Sequence, residues 1–331
     1  MSGAPRSPAT GNVSGEAASA AAAGGRSTVI KEGQPEGATR TVIIAVLANL
    51  GVALAKAVAT LMTGSAAMLA ETVHSLADTA NEILLYVGLR RSRPEPDSSH
   101  PFGYGQERWF WSFLAALGIF LVGGLLAIAE GIRSLLKPEP LESFLVGLGV
   151  LVVSFVLEAI SWRNAYKEVR AEAERSSRSL SDHLSVSSDP TAQTVFYEDT
   201  AALIGLVLAI AALVLHQVTG SAFYDAVASI LIGVLLSVVA FLLTRHNRRL
   251  LIDSSAPPDL VQKMHDELAA RPGVAEVSTL QAVWIGPRQL LLCADLVFTP
   301  GEDVVSRIAA MREELLEMSV IAAVKLTPVA A

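Results

Sequence analysis

Cysteine is almost missing from this chain, because Cys293 is the single example among 331 residues. One thiol excludes an internal disulfide framework and a zinc site built from cysteines. Charged residues are also scarce: Asp, Glu, Lys and Arg make up 17% of the chain, and the formal net charge is −7. The sequence has no basic cluster, so we expect no nucleic-acid partner.

Hydrophobic residues, by contrast, make up 52% of the chain, and they occur in runs rather than evenly spread. This composition is too apolar for an ordinary soluble domain. About 20 apolar residues suffice to cross a bilayer, and a spanning segment must be helical to satisfy its backbone hydrogen bonds. Six runs meet this length, and together they predict a mainly α membrane protein with six transmembrane helices. The runs are Thr41–Thr63, Ala66–Leu89, Trp109–Ile132, Leu141–Trp162, Pro190–Leu215 and Ala222–Thr244.

The segments on either side of the apolar region have a different character. Residues 1–39 are rich in Ala, Gly, Ser and Pro and are predicted to form a disordered tail. Neither a secretory signal nor a transit peptide is favoured there, because the alanine run is weakly hydrophobic and acidic residues are interspersed. Residues 40–250 form the predicted transmembrane domain, and residues 256–331 a small cytoplasmic α+β domain. Its predicted helix–strand–strand–helix–strand order is Pro258–Ala270, Ala275–Ile285, Gln289–Phe298, Asp303–Met318 and Val320–Leu326.

Basic residues indicate the orientation. Arginines and lysines are concentrated in the loops after the second and fourth spans and after the sixth span. The positive-inside rule then places both termini in the cytoplasm. We therefore expect an integral protein of a bacterial plasma (inner) membrane, or of an organelle membrane if the source is eukaryotic.

The second span carries a polar stripe on an otherwise apolar helix. His74 and Asp78 lie one turn apart on one face, with Glu71, Asn81 and Glu82 close to either side. Ionisable groups inside a bilayer are costly and persist where they have partners or a task. A polar contact between helices is one interpretation. The i,i+4 spacing favours another, in which His74 and Asp78 bind the same small cation.

The fifth span supplies a partner for this stripe. Asp189-Pro190 predicts an N-cap followed by a proline in the first turn, which fixes the start of the helix. Asp199 then lies roughly 14 Å into the helix, near the middle of the bilayer core. Glu198 points about 100° away and is the poorer ligand candidate. The predicted metal site is therefore His74, Asp78 and Asp199.

An imidazole and two carboxylates suit zinc at about 2 Å, and the same ligands accept manganese, iron or cobalt. Such ligands lose protons to bind a metal, so exchange of the metal for protons is the associated hypothesis. The metal is cargo, and no cofactor is expected. A metal-dependent hydrolase in the membrane is a less favoured alternative, because the chain has neither Gly-x-Ser-x-Gly nor His-Glu-x-x-His. A regulatory platform acting through its soluble domain is a third.

From about residue 40 onward, these features resemble the cation diffusion facilitator family and, within it, the branch containing zinc transporter nine. The motif His74-x-x-x-Asp78 and the loop run from His100 to Glu107 carry the resemblance to the family, and the run from Asp189-Pro190 through Glu198-Asp199-Thr-Ala-Ala resembles the branch. It implies a zinc exporter working by metal/proton antiport, six spans, a ferredoxin-like cytoplasmic domain and a homodimer. It does not imply an enzyme.

Two positions depart from the family pattern. A second histidine usually lies four residues before the fifth-span aspartate, and this chain has Val195 there, so the fourth ligand is open. Some members bind a second metal in the loop before the third span. Asp97 and His100 match that pattern and form a possible second site, but Tyr104 replaces its last ligand.

Overall fold

The structure, a computed structural model, describes the backbone of residues 37–330 and the side chains from residue 46 onward, apart from 48 and 192. The predicted tail therefore lies outside the described residues, except for its last three positions, which are helical. Helices occupy most of residues 37–251. They are α1 (Gly37–Thr63), α2 (Ala66–Arg91), α3 (Glu107–Gly118), α4 (Leu125–Leu136), α5 (Phe144–Arg175), α6 (Leu180–Val186), α7 (Pro190–Thr219) and α8 (Phe223–Leu251).

The prediction of six spans is confirmed for four of them within the described residues. Four segments are long and apolar enough to cross a membrane, so the chain is an integral membrane protein. The apolar part described for α1, Asn49–Thr63, is shorter than these. Helix α2 is not among the four, and carboxylates and an imidazole interrupt its apolar sequence. The four segments are Glu107–Leu136, Phe144–Arg175, Gln193–Thr219 and Phe223–Leu251.

Helix α8 packs tightly against the third span, which contains a π-helical segment at Ile119–Gly124 between α3 and α4. Glycines allow this approach. A Cβ atom added at Gly233 would lie 2.7 Å from the carbonyl oxygen of Gly124. The Ser229 hydroxyl also donates to the carbonyl of Ala127 at 2.8 Å. A π-helical turn inside an α-helix is frequent at functional positions, and here it lies where two helices touch.

A buried carboxylate on α8 fixes the start of α2. Asp225 accepts hydrogen bonds from the Ser65 hydroxyl at 2.6 Å and from the backbone N–H of Ala66. Ser65 is itself the N-cap, accepting from the Met68 N–H at 3.0 Å. The first N–H groups of a helix have no partner inside it. Asp225 thus links α8 to the N-terminal end of α2, and the polar stripe begins near that end.

We expect Asp225→Ala to destabilise the protein by about 1–3 kcal/mol, because the Ser65 hydroxyl and the Ala66 N–H lose their buried acceptor. The measurement is the midpoint of thermal unfolding in detergent. Asp303→Ala is the matched control, since Asp303 is an exposed cap that accepts from the Ser306 N–H at 3.3 Å. An equal loss of stability in both variants would show that burial of Asp225 adds nothing.

The C-terminal part has the helix–strand–strand–helix–strand order predicted from the sequence. Its three strands lie in the order β1-β2-β3, with β1 antiparallel to β2 and β2 parallel to β3. The predicted hairpin is confirmed, since Gly286 pairs with Gln289 across the turn. The elements are α9 (Pro258–Ala269), β1 (Val274–Gly286), β2 (Gln289–Phe298), α10 (Val304–Leu316) and β3 (Ile321–Pro328).

The tip of this hairpin contacts the start of the fifth span. The Arg288 N–H donates to the Ser188 hydroxyl at 3.0 Å, and the Arg288 guanidinium pairs with Glu172 of α5 at 2.7 Å. The buried Trp109 indole donates to the Ser188 carbonyl at 2.9 Å. The sheet and the membrane helices therefore meet one residue before the N-cap Asp189.

Candidate metal site

The centre of the polar stripe on α2 is a buried histidine beside a carboxylate. His74 is 1% exposed, and its Nδ1 lies 3.4 Å from Oδ1 of Asp78. Among the described residues, neither imidazole nitrogen has a hydrogen-bond partner, and neither does Asp78 Oδ1. Buried polar groups are nearly always paired in native proteins. Unpaired nitrogen and oxygen atoms side by side on one helix face are suited to metal coordination.

Helix α7 begins where the sequence predicted. The Asp189 carboxylate accepts from the Thr191 N–H at 3.1 Å, and Pro190 occupies the first turn, which confirms the predicted cap. Arg108 holds the same carboxylate at 3.0 Å. This start fixes how far Asp199 and its neighbours lie along α7.

The two adjacent carboxylates on α7 face different helices. Glu198 is buried and accepts from the Asn81 amide of α2 through both oxygens, at 2.5 Å each. Asp199 is half-buried and accepts from the Ser161 hydroxyl of α5 at 2.8 Å. The structure therefore brings Glu198, which the sequence ranked as the poorer ligand, toward the stripe. It places Asp199 between α7 and α5.

Within residues 37–330, no three His, Cys, Asp or Glu side chains converge closely enough to hold one metal ion. The structure brings His74 and Asp78 together but does not add Asp199 to them. The three-residue site accordingly stays a prediction. Closing it would require Asp199 to leave Ser161 and approach α2.

Further acidic groups surround this pair. Asn49 of α1 donates to Glu82 at 2.7 Å. Glu158 of α5 lies within electrostatic reach of Asp78 and Asp199. The stripe is thus part of a larger polar interior, in which α2, α5 and α7 supply carboxylates and α1 supplies the Asn49 amide.

A buried lysine in this interior was missed at the level of sequence. Lys56 of α1 is fully buried and contacts Glu71 of α2 at 3.0 Å. The available signal was simple: Lys56 lies inside a predicted span, where an ammonium group is costly unless it is paired.

The loop between α2 and α3 uses its aspartate to hold its own shape. The Asp97 carboxylate accepts from the N–H and hydroxyl of Ser99, from the His100 N–H and from the Tyr104 hydroxyl. These bonds, with the Ser99 and Tyr104 hydroxyls foremost, hold the pKa of Asp97 well below its usual range. The His100 ring packs on Tyr104 with centroids 4.0 Å apart. These contacts do not test the predicted second site, but they show that the Asp97 carboxylate already accepts hydrogen bonds from groups of its own loop.

We expect the double variant Asp97→Ala/His100→Ala to bind as many zinc ions per chain as the parent. The reason is that the Asp97 oxygens already accept four hydrogen bonds, which a metal would have to displace. Elemental analysis after equilibrium dialysis measures the ratio. Loss of one zinc ion per chain in the double variant would establish the loop site instead.

Comparisons with known proteins cover most of the chain. Residues 42–252 match the family model described as the cation efflux transmembrane domain. The chain is 33% identical over 263 residues to the Mus musculus protein named proton-coupled zinc antiporter SLC30A9, mitochondrial. That match covers 80% of this chain and 46% of the mouse protein.

Two further relatives come from a plant and a bacterium, and the bacterial one is named for manganese. Metal tolerance protein C4 of Arabidopsis thaliana is 35% identical over 243 residues, which cover 73% of this chain and 53% of that protein. The manganese efflux system protein MneP of Bacillus subtilis is 24% identical over 277 residues, or 81% of this chain and 89% of that protein. The chain spans about half the length of the mouse and Arabidopsis proteins.

Proposed function

The chain belongs to the cation efflux, or cation diffusion facilitator, family, close to the branch of the zinc antiporter SLC30A9, and from this premise we propose that it exports a divalent metal, zinc by preference, in exchange for protons. One observation carries the proposal. The buried His74 and the half-buried Asp78 lie adjacent on α2, with ligand atoms that have no hydrogen-bond partner among the described residues.

The proposed transport site is His74, Asp78 and Asp199, with water or a further oxygen as the fourth ligand where the family histidine is replaced by Val195. One nitrogen and carboxylate oxygens match the preference of zinc for such donors. Glu198 is the second candidate for the α7 ligand because it faces α2. Metal binding displaces protons from these groups, and protons return when the metal leaves, which couples the two flows.

The wider arrangement follows from the family and from the charge pattern. We propose six spans, with α1 and α2 as the first two, and both termini in the cytoplasm. The domain limits are residues 40–250 for the membrane part and 256–331 for a ferredoxin-like part through which two copies form a homodimer. The location is a plasma (inner) membrane, or an organelle membrane in a eukaryotic source.

Manganese, iron or cobalt is the alternative cargo. A manganese efflux protein is among the relatives, and the predicted ligands do not discriminate strongly among these metals. The hydrolase interpretation has less support, because the relatives carry the names of transporters and antiporters.

Metal flux in liposomes carrying the purified protein tests the proposal. With an acidic lumen and a neutral exterior, outward proton flow is expected to drive zinc into the lumen, where a zinc-sensitive dye reports it. A protonophore that collapses the pH gradient is expected to abolish the accumulation. Manganese, iron and cobalt are measured in parallel.

The outcomes separate the parts of the proposal. Zinc flux that does not depend on the pH gradient would exclude the antiport mechanism but would leave the proposed transport function in place. Faster flux of manganese, iron or cobalt would reassign the cargo. No flux of any of the four metals would overturn the proposed function.

A further inference from the structure

Lys56 is the only lysine or arginine that is buried among the residues the structure describes. It lies on α1, and its Nζ contacts two side chains of α2: Glu71 Oε2 at 3.0 Å and the Ser75 hydroxyl at 2.8 Å. Lys56 and Glu71 are both 0% exposed. An ammonium group is therefore enclosed between helices at a depth where charge is costly.

Helix α7 completes the enclosure. A Cβ atom added at Gly205 would overlap Oε1 of Glu71. Gly205 thus leaves room for the carboxylate that pairs with Lys56. Among the described side chains, Oε1 of Glu71 has no hydrogen-bond partner. Residues of α1, α2 and α7 therefore pack around the ion pair of Lys56 and Glu71.

This pair adjoins the proposed transport site. Glu71 precedes His74 by about one turn of α2, and Ser75 follows His74 directly. The Lys56 charge acts electrostatically on His74, Asp78 and Glu158. Because Lys56 offsets the negative charge of Glu71, a divalent ion held by His74 and Asp78 is not attracted by an uncompensated carboxylate nearby.

Stability alone does not account for such a pair. Replacing a buried ion pair with neutral side chains of similar volume is often neutral or stabilising. Lys56 also engages Glu71, a carboxylate that would otherwise be available to the metal as an additional ligand.

We propose that Lys56 is a built-in counter-cation that weakens the hold of the His74–Asp78 site on a divalent metal and so permits its release. The inference rests on the transport function proposed above. It assigns Lys56 as a positioning residue, because it acts through charge and through Glu71 rather than by touching the metal.

The test measures two quantities on the full-length protein: the zinc dissociation constant in detergent and the initial zinc flux in liposomes. In Lys56→Met the dissociation constant is expected to fall at least about tenfold, because a positive charge is removed and Glu71 is released. Flux is expected to fall by a similar factor because release slows. A variant that fails to fold would bind zinc more weakly than the parent. Tighter binding together with slower transport therefore cannot be explained by a loss of folding.

The double variant Lys56→Met/Glu71→Gln removes the positive and the negative charge of the pair together. Its net charge is therefore the same as that of the parent. Its dissociation constant and flux are expected to lie within about threefold of the parent. Lys263→Met, an exposed lysine on α9, is the matched control and is expected to behave as the parent. If Lys56→Met does not fold, Lys56→Gln, which removes the same charge but keeps a donor toward Glu71 and Ser75, carries the same two expectations.

Parental zinc affinity and flux in Lys56→Met would overturn the inference while the proposed transport function stands. So would a folded double variant with a dissociation constant shifted more than tenfold. A parent protein that neither binds nor carries any of the four metals would overturn both.

Discussion

Asp78→Asn is expected to reduce zinc flux in liposomes by about 100-fold or more, to the level of protein-free vesicles. Asparagine has nearly the same shape, but it lacks the negative charge that opposes a divalent cation. Loss of a residue that only supports a ligand already costs 10–100-fold in metal affinity, so loss of a ligand should reach at least the upper end of that range.

Two controls accompany this variant. Asp97→Asn makes the same substitution in an exposed loop and is expected to keep parental flux. A parental unfolding midpoint for Asp78→Asn would show that the protein is made and folded. Asp78→Asn flux within a few-fold of the parent would remove Asp78 from the transport site.

The second large effect is expected at Asp199, and it separates the neighbouring carboxylates of α7. Asp199→Asn is expected to lower flux by about 100-fold, and Glu198→Gln by about tenfold or less. Asp199 accepts from the neutral Ser161 hydroxyl, and a metal can displace such a partner. Both oxygens of Glu198 are buried against the Asn81 amide.

The comparison contains its own control, because the two substitutions are chemically equivalent and one residue apart. Zinc dissociation constants measured beside the flux show whether each loss arises from binding. The reverse order, with Glu198→Gln inactive and Asp199→Asn active, would assign the α7 ligand to Glu198 instead.

Sequence periodicity predicted the elements well where one local signal decides the structure. Asp189-Pro190 identified the start of α7, and Gly286-Pro287-Arg288 the hairpin between β1 and β2. The i,i+4 spacing placed His74 beside Asp78. These features depend on caps, turns and helix geometry, which act within a few residues.

Other features of the structure depend on tertiary contacts, which local sequence patterns do not determine. A helical wheel separates Glu198 from Asp199 by about 100°, but it does not say which neighbouring helix each one meets. Helix α5 continues to Arg175, past the end of the predicted span at Trp162, and Glu172 in this extension pairs with Arg288 of the β1–β2 hairpin. The pairing of Lys56 with Glu71 depends on how α1 packs against α2.

X-ray absorption at the zinc edge tests most directly whether one ion is shared between α2 and α7 inside the membrane. With one equivalent of zinc bound, the parent is expected to show an imidazole nitrogen and carboxylate oxygens at about 2 Å. The imidazole signal should vanish in His74→Ala, and the oxygen shell should shrink in Asp199→Asn. Identical spectra in the parent and both variants would place the metal elsewhere and contradict the shared site.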